Sequence, residues 1–195
     1  MRKIIITCIC ILFSWNSFAY HKNRLNACTP DKPTHNNYEP ELFGTTNNLL
    51  RKTGCEEVFC GQRILLKLEV VDKNCVPIAD AKVKLWQAGC DGKYPYKPLR
   101  KATNPKYMNI KSGASFTGSG LATTNNLGNV EFITIYPVIT ADKDHPHINI
   151  RVEHSRFGSF QTKLYLSKHE ILEDGQWEVI ERRITTPWES AHRRY

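Results

Sequence analysis

The chain has 195 residues, 41% of them apolar, four Trp and a formal charge of +8. That is long enough to bury one core and too apolar for a disordered chain, and no internal repeat or low-complexity tract breaks it up, so a single globular domain is expected. Much of the positive excess sits in residues 97–111 and 182–194, which read as a solvated basic loop and tail rather than a nucleic-acid surface.

Arg2 and Lys3 precede an apolar run over residues 4–13, and Ser17, Phe18 and Ala19 follow with small residues at the spacing a signal peptidase needs. Residues 1–19 are therefore expected to be a signal peptide, with a secreted or periplasmic destination. The run is too short to span a bilayer comfortably. Leu25-Asn26-Ala27-Cys28 loosely imitates a lipid-attachment box, but the polar residues 21–24 separate it from the apolar segment that should adjoin it. Export makes nucleic acid an improbable partner, and the sequence leaves the oligomeric state open.

Cleavage would remove Cys8 and Cys10 and leave Cys28, Cys55, Cys60, Cys75 and Cys90 in a compartment that permits disulfides. Residues 20–61 are mostly polar and show no sustained period, so they are expected to form an extended arm that wraps the domain or stays partly disordered.

The domain proper is expected at residues 62–186, followed by a basic tail at 187–195. Leu66, Leu68 and Val70 alternate with Lys67, Glu69 and Val71, and Val83, Leu85 and Gln87 alternate with Lys84 and Trp86, the period of half-buried strands. Asp72, Asn74, Pro77 and Asp80 make the connection a turn. Cys75 lies in that turn and Cys90 past the far end of the second strand, roughly 33 Å away at a rise of about 3.3 Å per residue. They should not pair, because a bridge needs Cα atoms within about 7 Å. Any bridges are expected among Cys28, Cys55, Cys60 and Cys90, with Cys75 left over. Further strands are expected at 121–124, 129–135, 147–153, 160–166 and 177–184, and residues 167–172 offer at most one short helix. Short strands separated by frequent turns predict an all-β fold, an antiparallel or mixed β-sandwich.

Five pieces stand in an order that resembles the intradiol ring-cleavage dioxygenases: VVDKNCVPIADAKVKLWQA, GKY at Gly92 to Tyr94, GSGLATTNNLGNVEFITIYP, PHIN at Pro146 to Asn149, and TKLYL. The first and third also occur in non-catalytic transthyretin-like sandwiches. The spacing from Trp86 to Tyr94 and the Pro-His-Ile are more specific. The resemblance implies a mononuclear Fe(III), held in the family by two tyrosinates and two histidines, and cleavage of a catechol-type ring with O2. Hard phenolate oxygen and imidazole nitrogen suit Fe(III), and a catecholate can chelate it. Tyr94 falls on the first family tyrosine and His147 on the first histidine of a His-x-His strand.

The other positions depart from the pattern. Asn149 stands where the second histidine belongs, the second tyrosine falls near Thr140, Asp144 replaces a usual arginine and Lys163 a usual glutamine. Two rearrangements would restore donors. A register shifted by one pleat would pair His145 with His147, and Tyr136 or Tyr107 would supply a phenolate. Two readings stand: an exported Fe(III) dioxygenase for a catechol-like aromatic, and a non-catalytic binding or structural module on the same scaffold.

Overall fold

The structure, a computed structural model, describes residues 28–35, 38–51, 60–96, 115–139, 145–168, 171–174 and 177–190. Eight strands run in the order β1 (Arg63–Val71), β2 (Lys82–Trp86), β3 (Ser119–Thr123), β4 (Asn129–Ile135), β5 (His147–His154), β6 (Gly158–Tyr165), β7 (Leu172–Asp174) and β8 (Trp177–Thr185). They form two four-stranded sheets, ordered β4-β1-β8-β7 and β3-β2-β5-β6. β1 and β8 are parallel and the other neighbours antiparallel, so the sandwich is mixed. Among the described residues no helix is long and apolar enough to cross a membrane.

Alternation decides which residues meet between the sheets. Ile64, Leu66, Leu68 and Val70 of β1, Phe132 of β4 and Ile180 and Ile184 of β8 face Val83 and Leu85 of β2 and Ile148, Ile150 and Val152 of β5 in one buried cluster. β1 and β2 follow one another in sequence yet belong to different sheets, so the turn between them crosses the sandwich. Asp72 organises that turn: its wholly buried carboxylate accepts from the backbone of Asn74 and Val76 and from Ser190.

The described residues of the arm are part of the fold. Leu49 and Leu50 are wholly buried in the main core. Thr34 N donates to Gln161 O on β6, Leu121 N on β3 donates to Thr46 O, and Asn48 bridges Ile133 on β4. The polar sequence hides this because the segment's order comes from backbone pairing with exposed sheet edges.

One expectation is corrected. Cys75 is not left over: it pairs with Cys28, while Cys60 pairs with Cys90. The arm returns past the β1–β2 turn, where Cys28 N donates to Lys73 O, and Cys75 sits at a positive φ of 62°. Cys75 and Cys90 do not pair with each other, as expected. Cys55 lies outside the described residues. At most one short helix was expected at 167–172, and Leu172 at the end of that segment belongs to β7, where it pairs with Val179 of β8. A short apolar run fits either state, and an edge strand available for pairing decides it.

Candidate functional site

The outward face of the second sheet carries side chains in rows set by the ladder. Trp86, Asn149 and Lys163 stand side by side across β2, β5 and β6, and Lys84, Arg151 and Gln161 form the next row. His147, opposite Tyr165, begins the strand on the other side of Asn149. His147 and Asn149 therefore share one face, about 6.6 Å apart along the strand.

Tyr94 reaches this face from the loop after β2. That loop is tightly tied: Gly89 N donates to Lys93 O, Gly92 N donates to Gly89 O with Gly92 at a φ of 71°, and Lys93 N donates to Asp91 Oδ1. The Cys60–Cys90 bridge fastens it to the start of β1. Behind it, the buried Gln87 side chain donates to Ile135 O and accepts from Thr134 Oγ1.

Tyr94 is 2% exposed, and its hydroxyl lies 3.4 Å from Asn149 Nδ2. The same Nδ2 lies 3.1 Å from Trp86 O. A carbonyl only accepts, so the amide is oriented with its NH2 toward both partners and donates to the Tyr94 oxygen. His147 Nδ1 is 2.9 Å from His145 O, which for the same reason places the proton on Nδ1 and the lone pair on Nε2.

An aromatic cluster roofs the face. Tyr38 stacks on Tyr94 with centroids 5.0 Å apart and planes 7° from parallel, and Phe43 meets Trp86 edge-on at 5.7 Å. Tyr96 OH donates to Tyr38 O at 2.7 Å. Burial, and then the neighbouring Tyr94 and Glu39, push the Tyr96 phenol far above its ordinary range. Arg151 makes a bidentate pair with Glu39, donates to Gln161 Oε1 at 2.7 Å and lies over the Trp86 ring. Tyr38, Glu39, Phe43, Trp86 and Arg151 were missed as site residues in the sequence. The available signal was an aromatic pair, Tyr38 and Phe43, in a mostly polar arm.

The predicted site residues separate into two groups. Tyr94 contacts Asn149 directly, and His147 is one pleat away on the same strand. His145 precedes β5, is exposed, and offers its carbonyl to His147 while its ring meets Tyr165 edge-on. Tyr136 packs in the main core, donates to Leu166 O and has its phenol pushed up by burial. Thr140, Asp144 and Tyr107 lie outside the described residues.

For a ferric ion, the Tyr94 phenol and the His147 Nε2 are donors of the right kind. Asn149 is not, since its NH2 presents hydrogens toward the tyrosine oxygen. Among the described residues no group of three or more His, Cys, Asp or Glu is placed to hold a metal. The face therefore offers a phenol, an imidazole, an amide donor and a guanidinium around an aromatic surface, a set suited to a planar, oxygen-bearing ring.

No protein-family model matches the chain. The "Putative dioxygenase" of Rickettsia conorii is 47% identical over 182 residues, which cover 92% of this chain and 86% of that protein. The Rickettsia felis protein of the same description is 46% identical over the same shares. Among solved structures, an intradiol ring-cleavage dioxygenase from Tetranychus urticae superposes with a TM-score of 0.57 at 19% identity, covering 85% of this chain and 98% of that one. The dioxygenase domain of a dioxygenase–carbohydrate-binding fusion from Streptomyces sp. SirexAA-E gives a TM-score of 0.58 at 14% identity, covering 80% and 97%. At such identities the likeness to the solved structures is one of fold.

Proposed function

Since this chain belongs to the same family as the dioxygenase-named Rickettsia proteins and has the intradiol dioxygenase fold, we propose that it is an exported dioxygenase that opens a catechol-type ring with O2 at the Tyr94 face. The observation that supports this reading is the Tyr94–Asn149 contact with His147 one pleat away, which puts three residues that the sequence resemblance matches to ligand positions on one surface. A ferric ion here would be held by Tyr94 Oη and His147 Nε2, and would supply Lewis-acid activation of a bound catechol. The chain's own residues do the rest. The Tyr94 loop is braced by Gln87 and the Cys60–Cys90 bridge, the ring faces of Tyr94 and Trp86 exclude water, and Arg151 brings a cation to the next row. Two disulfides and the apolar leader support export.

Iron content, visible colour and oxygen uptake with catechol, measured on mature protein, test this. Near-stoichiometric iron, a phenolate-to-iron absorption band and uptake are expected. Iron-free, colourless protein after iron loading, with no uptake, overturns it.

A second reading has its own observation. The Asn149 amide satisfies the Tyr94 oxygen without a metal, so the same face could serve as a binding module. That reading expects catechol binding without oxygen uptake.

A further inference from the structure

The roof over Tyr94 is made by the chain itself. Backbone bonds fix the arm at Thr34 on β6 and at Thr46 on β3. Between these anchors, Tyr38, Glu39 and Phe43 reach the sheet through their side chains. Tyr38 lies flat on the Tyr94 ring, where a planar ligand would stack. Glu39 presents a carboxylate to both nitrogens of the Arg151 fork, in the manner of a bound anion. Arg151 and Glu39 side chains are only 24% and 25% exposed, so the pair is shielded from solvent. Beside it, the indole Nε1 of the wholly buried Trp86 and the Nε2 of Gln161 are buried donors without an acceptor. Arg151 and Gln161 thus stand side by side in one row, with the Arg151 guanidinium over the Trp86 ring of the adjoining row, next to a ring-stacking place.

We propose that Tyr38 and Glu39 act as an internal ligand of this face, and that the external ligand which displaces them is an aromatic carrying a carboxylate on a short side chain. This rests on the reading above only in taking Tyr94 as the place where the ligand's ring lies. The internal groups set the ligand class. Arg151 lies one pleat beyond Asn149, the residue that touches Tyr94, a step of about 6.6 Å. A ring and a carboxylate joined by a short flexible chain reproduce the stacked Tyr38 ring and the Glu39 carboxylate, which the arm likewise joins through flexible bonds. In this arrangement the strap lowers apparent affinity by the fraction of time it is closed, and loosening it raises affinity without any new contact.

Dihydrocaffeate and catechol are the probes, titrated anaerobically into the full mature chain, with exchange of the Trp86 indole N–H followed by NMR. Glu39→Gln keeps the shape of the side chain and removes its charge. It should bind dihydrocaffeate about tenfold tighter than the parent, and the Trp86 indole should exchange faster by a similar factor. Arg151→Gln should abolish the preference for dihydrocaffeate over catechol. The double exchange Glu39→Arg with Arg151→Glu should restore protection of the indole while leaving that preference absent, a rescue that mere loss of packing would not give. Unchanged affinity and exchange in Glu39→Gln overturn the proposal. So does accelerated exchange of the Leu85 and Ile150 amides together with the indole, which would make the arm inseparable from the core. Faster indole exchange without tighter probe binding overturns both the internal ligand and the ring place on Tyr94. Tighter binding in Glu39→Gln with no oxygen uptake in any variant supports the internal ligand and removes only the enzymatic reading.

Discussion

Asn149→His puts the site geometry at risk directly. Asn149 is wholly buried, and its Nδ2 donates to Trp86 O at 3.1 Å and to Tyr94 Oη at 3.4 Å. A histidine that keeps the Trp86 bond through Nδ1–H turns its Nε2 lone pair toward Tyr94. The long bond to Tyr94 is lost, which costs about 1 kcal/mol or less. The larger ring has no exposed edge to relax into, and overpacking of that kind costs about 1–3 kcal/mol. A stability loss in that range is expected by urea unfolding. Against it, an imidazole joins the Tyr94 phenol and the His147 imidazole on one face. Ligand-shell changes alter metal affinity by about 10–100-fold, and each factor of ten is worth about 1.4 kcal/mol. Ferric affinity should therefore rise at least tenfold at neutral pH, where an imidazole with a reference pKa of about 6.5 is mostly unprotonated. The assay is Fe(III) titration followed by the phenolate charge-transfer band, with circular dichroism to establish the fold. A folded variant with unchanged affinity and no new band would show that residue 149 does not face a metal position.

Three further substitutions test the scaffold that holds the site. Burial works against the Asp72 charge, but hydrogen bonds from Ser190, Val76 and Asn74 outweigh it and hold its pKa below the ordinary value. Its stabilisation is thus present above the unfolded carboxylate value of about 3.9 and is lost as pH falls through the lower folded value. Asp72→Asn should cost about 2–4 kcal/mol at pH 7, and its stability gap to the parent should close under strong acid; a gap independent of pH would refute the assignment. Cys75→Ser opens a bridge whose cysteines are 47 residues apart, which chain entropy values at about 4 kcal/mol. A melting temperature equal to that of the parent would mean the bridge does not form. Gly118 has a φ of +68°, and a Cβ there would lie 2.4 Å from Pro95 Cγ, next to Tyr94. Gly118→Ala should cost at least about 1–2 kcal/mol from the backbone alone and weaken catechol binding by shifting the Tyr94 loop; unimpaired binding would detach that loop from the site.

The strands that line the core were readable because their signal is local. Leu66, Leu68 and Val70 alternate at period two whatever lies beyond them; β4 and β5 form within a residue of where they were expected, and β1 ends with the alternation at Val71 but begins three residues before it, at Arg63. β7 was not readable, because Leu172–Asp174 has three exposed residues and becomes a strand only by lying beside β8. Half of the site shows the same division. Tyr94, His147 and the departure at Asn149 are visible as motif positions, whereas the covering of Tyr94 by Tyr38 and the Glu39–Arg151 pair depend on contacts more than fifty residues apart in sequence. The Cys28–Cys75 bridge was hidden for that reason too: strand lengths set the Cys75–Cys90 distance, but nothing local tells where an aperiodic arm returns.

The arm also imposes an order of events. It is synthesised before the strands, yet the edges it pairs with belong to β3, β4 and β6, up to Gln161. It cannot settle until most of the domain has emerged, and until then those strand edges are open to pairing with other chains. Cys28 and Cys75 become available well before that point. Once joined, they hold the waiting arm close to the growing sandwich, shortening its final search and turning an encounter across most of the chain into a local one.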